Sequence, residues 1–199
     1  MKILLGSNNK KKLAELQQLF SEYPVELLTP SQLGIDIVPL EDGETYEENS
    51  FKKAYAFAKA SSLPCIADDS GLEVFALGCR PGVYSSRYAG ENTDDNTKMD
   101  KLLLELNGVS DRKARFVSVV SFVMPNGTAI TARGECYGEI LTEKRGSGGF
   151  GYDRIFYIDD EKKSFGEMTF EEKAKYSHRS IALKQLKSKL TTILEETDD

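Results

Sequence analysis

Two β-rich apolar runs, at residues 114–124 and 129–137, are separated only by Pro125-Asn126-Gly127, and this pairing narrows the possible folds more than any other feature. Pro-Asn-Gly is a strong tight-turn signal, so the runs predict two long strands folded back on one another and a sheet with an antiparallel component. At the other end of the chain, Ile3-Leu4-Leu5 is followed by Gly6-Ser7-Asn8-Asn9 and then by Lys12, Leu13, Leu16, Leu19 and Phe20 at helical spacing. That order predicts a buried strand, a tight turn and an amphipathic helix, closed by Tyr23-Pro24. Residues 25–28 read as a second short strand, and a connection over 30–36 leads to Ile37-Val38. Phe51, Ala54, Tyr55 and Ala58 recur at helical spacing in a run that stops near Ser61-Ser62 and Pro64. Cys65-Ile66-Ala67 then reads as a strand delivering Asp68-Asp69-Ser70-Gly71 off its C-terminal end, where open α/β sheets hold ligands. Downstream come a helix near 96–106, a strand near 155–158, a capping-box pattern at Thr169-x-x-Glu172 and a final helix carrying Ile181, Leu183, Leu186, Leu190 and Leu194, capped by Ser177. Helices interleaved with parallel and antiparallel strands predict an α/β fold built as one globular domain over 1–199.

Composition excludes several classes of function. With 26 Lys+Arg against 32 Asp+Glu the chain carries a net charge of −6, the wrong sign for a general nucleic-acid binder. The longest apolar-rich stretch, 116–124, is interrupted by two serines and falls far short of the ~20 residues of a membrane-spanning helix. Polar Ser7-Asn8-Asn9 follows the first apolar residues too soon for a secretory signal, so the expected compartment is the cytoplasm. Cys65, Cys79 and Cys136 are odd in number and form no C-x-x-C pair, which predicts reduced thiols rather than a disulfide or zinc site.

Charge placement is more informative than net charge. Lys10-Lys11-Lys12 begin a predicted helix, where cations oppose the positive end of the helix dipole. Either this is a solvated basic face, or the free N–H groups and a first-turn lysine together cradle phosphate. No Walker A pattern is present. Ser177-His178-Arg179 repeats the anomaly at the last helix, and an acceptor-rich ligand between the two helix starts would satisfy both. Asp68 and Asp69 are neighbours on a strand and so point to opposite faces, which lets only one face a given ligand. They are either turn residues or, with Glu41, carboxylate ligands suited to a hard cation such as Mg²⁺. Glu44, Glu47 and Glu48 read as a solvated helix start. Gly146, Gly148, Gly149 and Gly151 around Phe150, with Tyr152 and Asp153 after it, read as a flexible loop or as a backbone approaching a flat ligand beside an aromatic face.

Taken together, these segments resemble the inosine triphosphate pyrophosphatase family, the non-canonical purine NTP pyrophosphatases or XTP/dITP diphosphatases. Ser7-Asn8-Asn9-Lys10-Lys11-Lys12-x-x-Glu15 is similar to its T/S-x-N-x-x-K-x-x-E signature, and Glu48-Asn49-x-x-x-Lys53-Ala54, Ala67-Asp68-Asp69-Ser70-Gly71-Leu72, Pro81-Gly82-Val83-Tyr84-Ser85-Ser86-Arg87-Tyr88, Gly148-Gly149-Phe150-Gly151-Tyr152-Asp153 and Ser177-His178-Arg179 follow in the family's order. The resemblance implies a two-lobed fold around a long mixed sheet with a cleft between the lobes, a homodimer, and Mg²⁺-dependent hydrolysis of ITP, dITP and XTP to monophosphate and pyrophosphate. It makes Asp69 the catalytic acid-base residue and, with Glu41, a metal ligand. Ser7, Asn8, Asn9, Lys10, Lys11, Lys12, Lys53 and Ser70 would bind the substrate at its triphosphate, and Phe150, Gly151, Tyr152, Asp153, Lys173, His178 and Arg179 at its base and sugar. Two positions depart from the family pattern: Asn8 stands where many members have glycine, and Arg154 where proline commonly follows Gly-Tyr-Asp. A nucleotide sensor that does not hydrolyse would not require the Glu41 and Asp69 pair.

Overall fold

The computed structural model describes residues 1–19, 21 and 25–196. Phe20 and Tyr23-Pro24, expected to finish the first helix, lie outside them. The strands are β1 (Lys2–Leu5), β2 (Glu26–Leu28), β3 (Cys65–Val74), β4 (Arg80–Pro81), β5 (Lys113–Val123), β6 (Ala129–Ile140), β7 (Phe156–Ile158) and β8 (Lys163–Ser164). The helices are α1 (Lys10–Leu19), α2 (Tyr46–Ser61), α3 (Asp95–Glu105), α4 (Phe170–Tyr176) and α5 (His178–Glu196). The strands form one mixed sheet in the order β2-β1-β3-β5-β6-β7-β8, with β4 paired to β3. The chain divides into two compact units, Met1–Asp69 with Ser118–Gly134 and Arg179–Asp199, and Ser70–Val117 with Glu135–His178.

In the first unit β1 pairs in parallel with β2 on one side and β3 on the other, Leu4 lying opposite Leu28 and Cys65. Alternation along the strands sends Ile3, Leu5 and Ile66 into one apolar cluster with Leu16, Val120, Leu183 and Leu186. Leu4, Cys65 and Ala67 go to the other, with Ala54, Phe57, Ala58 and Val123. The apolar run Ile3-Leu4-Leu5 is therefore uninterrupted because both of its faces are covered, as parallel sheets require. The chain can turn tightly after β1 because residue 6 is glycine: a Cβ there would stand 2.7 Å from Cys65 Sγ and 2.9 Å from Phe57 Cδ2.

In the second unit β3 pairs antiparallel with β4, β6 with β7, and β7 with β8. Its core is aromatic: Phe156 packs against both Phe116 and Phe165 at centroid separations of 4.5 and 5.1 Å, and those two rings stack on each other at 6.0 Å. Leu72, Met99, Leu102 and Ile155 complete the cluster.

Several local features differ from the sequence expectation. Asp68-Asp69-Ser70-Gly71 lies in the middle of β3 rather than at its end, because buried Leu72 and Val74 keep the chain in the sheet. The capping box at Thr169 and Glu172 opens a separate short helix, α4, and Ser177 terminates it through its N–H to the Lys173 carbonyl. The Ser177 hydroxyl is buried without a hydrogen bond, so it does not cap α5. All three cysteines are free, and burial pushes the Cys136 thiol up to about 12.

Phe156→Ala should lower the unfolding free energy by about 3–5 kcal/mol, because it leaves a cavity beside the stacked Phe116 and Phe165 rings. Urea denaturation followed by circular dichroism measures this, and a loss below about 1 kcal/mol would contradict the assigned packing.

Candidate functional site

The turn after β1 presents its polar groups in a fixed order. Ser7 Oγ accepts the Asn9 N–H at 3.2 Å, and Asn9 Oδ1 accepts the N–H groups of Lys11 and Lys12 at 3.0 and 3.2 Å, so Asn9 caps α1. Asn8 donates to the Ile37 carbonyl at 2.9 Å. No acid occupies the first turn of α1. Lys10 and Lys11 point to solvent, while Lys12 turns inward, its Nζ 3.3 Å from Asp68 Oδ2.

Asp68 is the hub of a buried ion-pair set. Arg179, at the start of α5, donates from Nε and Nη2 to Asp68 Oδ2 at 3.1 and 2.9 Å, and from Nη1 to Glu15 of α1. Arg179 and Asp68 are each 1% exposed. Burial by itself would raise the Asp68 carboxyl, but Arg179, Lys12 and Lys53 outweigh it and hold the group well below the usual carboxylate range. Lys12 is lowered, because burial outweighs the attraction of Asp68.

Asp69 leaves β3 on the opposite face and meets a different environment. Its Oδ2 accepts from Asn49 Nδ2 at 3.1 Å, and the same amide's Oδ1 accepts the Gly43 N–H at 2.8 Å. Asn49 thereby ties Asp69 to the acidic segment that carries Glu41. Glu41 pairs with Lys53 Nζ at 2.6 Å, and Lys53 also donates to the Asp68 carbonyl at 3.1 Å. Burial lifts Asp69 above its ordinary value; Lys53 and Lys12 pull against that, and Glu41 adds to it. Burial alone would lower Lys53, but Glu41, Asp68 and Asp69 keep it above the ordinary lysine value. Glu47 and Glu48 lie in the first turn of α2, as the sequence suggested, and Thr45 caps it.

Glu41 and Asp69 are near enough for each to feel the other's charge. Among the described residues, no group of three or more His, Cys, Asp or Glu side chains could hold a metal by itself. Two oxygen donors beside two ammonium groups fit a hard cation that keeps waters and shares phosphate oxygens, as Mg²⁺ does, rather than a closed zinc cage.

The second unit assembles the remaining residues singled out from the sequence. Asp153 Oδ2 accepts the Phe150 N–H at 2.9 Å and Lys173 Nζ at 2.8 Å, and that ammonium lies 5.0 Å from the centre of the Phe150 ring. Gly151, at φ +64°, donates its N–H to Asp95 at 2.8 Å. The Tyr152 hydroxyl donates to the Ser85 carbonyl at 2.9 Å, and burial raises that phenol. His178 stacks on Phe116 with centroids 4.8 Å apart. Ser70 is half-buried next to Asp69 in the chain.

The sequence assigned no role to Glu15, Asn49 and Asp95, and Asp68, read from it as a turn residue or a cation ligand, instead anchors Arg179 and Lys12. Glu15 carried a usable signal, since it lies three residues after Lys12 on the same helix face. Asn49 carried none, because its partners are brought to it only by folding.

A profile of the Ham1 family matches residues 3–189. The dITP/XTP pyrophosphatase of Clostridium perfringens is 46% identical, over 98% of this chain and 99% of its own length. That of Desulfotalea psychrophila is 45% identical, over 97% of this chain and 86% of its own. Among solved structures, the Ham1 protein of Staphylococcus aureus superposes with a TM-score of 0.86 at 41% identity, covering 96% of this chain and 99% of that one. A HAM1 protein from Coxiella burnetii gives 0.87 at 39% identity, with the same coverage.

Asp68→Asn removes one of the two carboxylates that compensate buried Arg179, and the one that faces Lys12, and should cost about 3 kcal/mol of stability at neutral pH. Because the native Asp68 carboxyl lies below its unfolded value, its contribution is fully present above about pH 4 and declines as the pH falls toward the native value. The stability gap between wild type and Asp68→Asn should therefore narrow below about pH 4 in urea titrations, and a gap independent of pH would refute the pairing.

Proposed function

The chain belongs to the Ham1 family, and from that premise we propose that it hydrolyses the non-canonical purine nucleoside triphosphates dITP, XTP and ITP to monophosphate and pyrophosphate. The observation carrying the proposal is the set of Lys12, Lys53, Glu41 and Asp69, two cations interleaved with two carboxylates, one of which is buried and holds its proton more tightly than usual. That is the equipment a phosphoryl-group hydrolase needs, since such reactions depend on positioning and charge compensation more than on covalent help from the protein.

In the proposed reaction the ammonium groups of Lys12 and Lys53 receive the triphosphate, with Ser7, Asn8, Asn9, Lys10, Lys11 and Ser70 around it. Water forms a bond to the α-phosphorus while the bond from that phosphorus to the bridging oxygen breaks, and the bridging oxygen takes the electron pair out with pyrophosphate. Asp69 accepts the proton of the attacking water. Its raised affinity for a proton suits that role, because a general base works best when its pKa lies near the working pH. Asn49 fixes the carboxylate so that one oxygen is committed to the amide. Glu41 and Asp69 would hold Mg²⁺, which when bound supplies compensation for charge on the phosphate oxygens.

Phe150, Gly151, Tyr152, Asp153, Lys173, His178 and Arg179 complete the proposal at the base and sugar. Lys173 offers donors to a 6-oxo purine, whereas the 6-amino group of adenine would set donor against donor. A buried donor left unpaired in this way costs up to ~10⁴-fold in selectivity. Arg179 acts here through the carboxylates it orders, since its guanidinium is turned onto Asp68 and Glu15. The family resemblance also supports a homodimer acting in the cytoplasm. Among the described residues no helix is long and apolar enough to cross a membrane.

Incubation with dITP and Mg²⁺ should release pyrophosphate rather than orthophosphate, with little turnover of ATP and none without the metal. Asp69→Asn should keep the fold and reduce kcat by about 10²–10⁴, the usual range for loss of a general base. Orthophosphate as the first product, or near-normal turnover by the variant, would overturn the assignment.

A further inference from the structure

The glycine-rich segment 146–151 should be a floppy loop by composition, yet both of its ends are tied down. Gly146, Gly149 and Gly151 all take positive φ, at +78°, +72° and +64°. Conformations of this kind are open to glycine at little cost, so the segment has no stiffness of its own. Its order has to come from outside.

Besides the Gly148 N–H, which donates to the Gly166 carbonyl at 2.9 Å, the ties come from the first turn of α3 and from Arg154. Asp95 Oδ2 accepts the Gly151 N–H at 2.8 Å while its other oxygen pairs with Lys98 at 2.8 Å. Arg154 donates from Nε to the Gly146 carbonyl at 2.9 Å and from Nη1 to Asn96 Oδ1 at 3.0 Å. One end of the segment is thus held by Asp95 directly, and the other by Asn96 through the Arg154 fork. Neither side chain is required by the helix itself, because Asp94 caps α3 by accepting the Thr97 N–H. Inside the segment, Asp153 binds both the Phe150 N–H and the Lys173 ammonium, so a shift of the backbone at 149–151 moves the ring and the ammonium together.

We propose that Asp95, Asn96 and Arg154 are positioning residues for base selection, fixing the loop against α3 so that the Phe150 ring and the Lys173 ammonium meet the purine in one geometry. The inference rests on the assignment of Phe150 and Lys173 to the base. None of the three touches the ligand; they act through the loop. The chemistry at the phosphate is untouched, so their loss should appear in KM and in discrimination rather than in kcat.

The test compares kinetics for dITP and dATP in Asp95→Ala, Arg154→Ala and Asn96→Ala, with Asp95→Asn as the conservative variant that keeps an acceptor for Gly151. Asp95→Ala and Arg154→Ala should raise KM for dITP about ten-fold and narrow the dITP-to-dATP ratio of kcat/KM by a similar factor, the scale of one hydrogen bond to a charged group. Their kcat should stay within about two-fold of wild type. Asn96→Ala, at an exposed position that folding tolerates, should move the same two quantities less, and Asp95→Asn should restore them. Amide exchange at Gly151 should accelerate in Asp95→Ala without a change in global unfolding. Unchanged KM and unchanged discrimination in the folded variants would overturn the proposal, as would a parallel fall of kcat with thermal stability. Lys173→Met separates the two levels: if it abolishes discrimination while the loop variants do not, only the positioning role fails, and if it too leaves discrimination intact, the base assignment fails and the positioning role falls with it.

Discussion

The pairing of buried Arg179 with Asp68 and Glu15 is the interaction on which the first unit's arrangement depends. An unpaired guanidinium at this depth would be prohibitive, so the three residues must arrive together or not at all. They come from α5, β3 and α1, which makes the ion pair a constraint on the placement of three elements that are far apart in sequence. Because Asp68 is held ionised, Lys12 has a fixed counter-charge and its ammonium stays at the start of α1, where the helix dipole alone would repel it.

Strand geometry then separates two chemically identical neighbours. Asp68 and Asp69 differ by one position in β3, and one position is enough to send them to opposite faces. The first meets a guanidinium and two ammonium groups and is pushed down; the second is pushed up by burial and by Glu41, against the pull of Lys53, Lys12 and the Asn49 amide. Two carboxyls driven apart by their surroundings are the common preparation for acid-base work, one staying charged as a fixed structural group and the other free to exchange a proton. The second unit uses a related economy, with Asp153 as the single acceptor that fixes both a loop N–H and a lysine.

What the sequence disclosed follows from how local each feature is. The β5 and β6 hairpin, α1 and the Thr169 capping box were legible because turn residues, periodicity and caps act over a few positions. The run at 68–71 was misplaced at a strand end because Asp, Ser and Gly are turn formers by propensity, and only burial of Leu72 and Val74 in the folded core overrides that preference. Lys12 and Arg179 were legible as anomalies, cations set against a helix dipole, but their shared partner was not. Asp68 reaches Arg179 across 111 positions and Asn49 reaches Asp69 across 20, and no periodicity encodes such contacts.

Charge balance gives the strongest reason for the metal in the proposed reaction. Lys12, Lys53 and Arg179 are matched in the free protein by Asp68, Glu41 and Glu15, and Asp69 adds one further carboxyl. The set is close to self-neutralised, so it offers a polyphosphate little net attraction. For a phosphate oxygen to take Lys53, Glu41 must give up its 2.6 Å partner, which leaves two carboxylates side by side with a polyanion approaching them. Like charges at such range in a partly buried site cost several kcal/mol. In the proposed reaction Glu41 and Asp69 would hold Mg²⁺, and its charge would offset that cost. The overall charge of −6 is therefore compatible with an anionic substrate, because affinity depends on an exchange of partners among a few buried groups and not on an excess of basic residues.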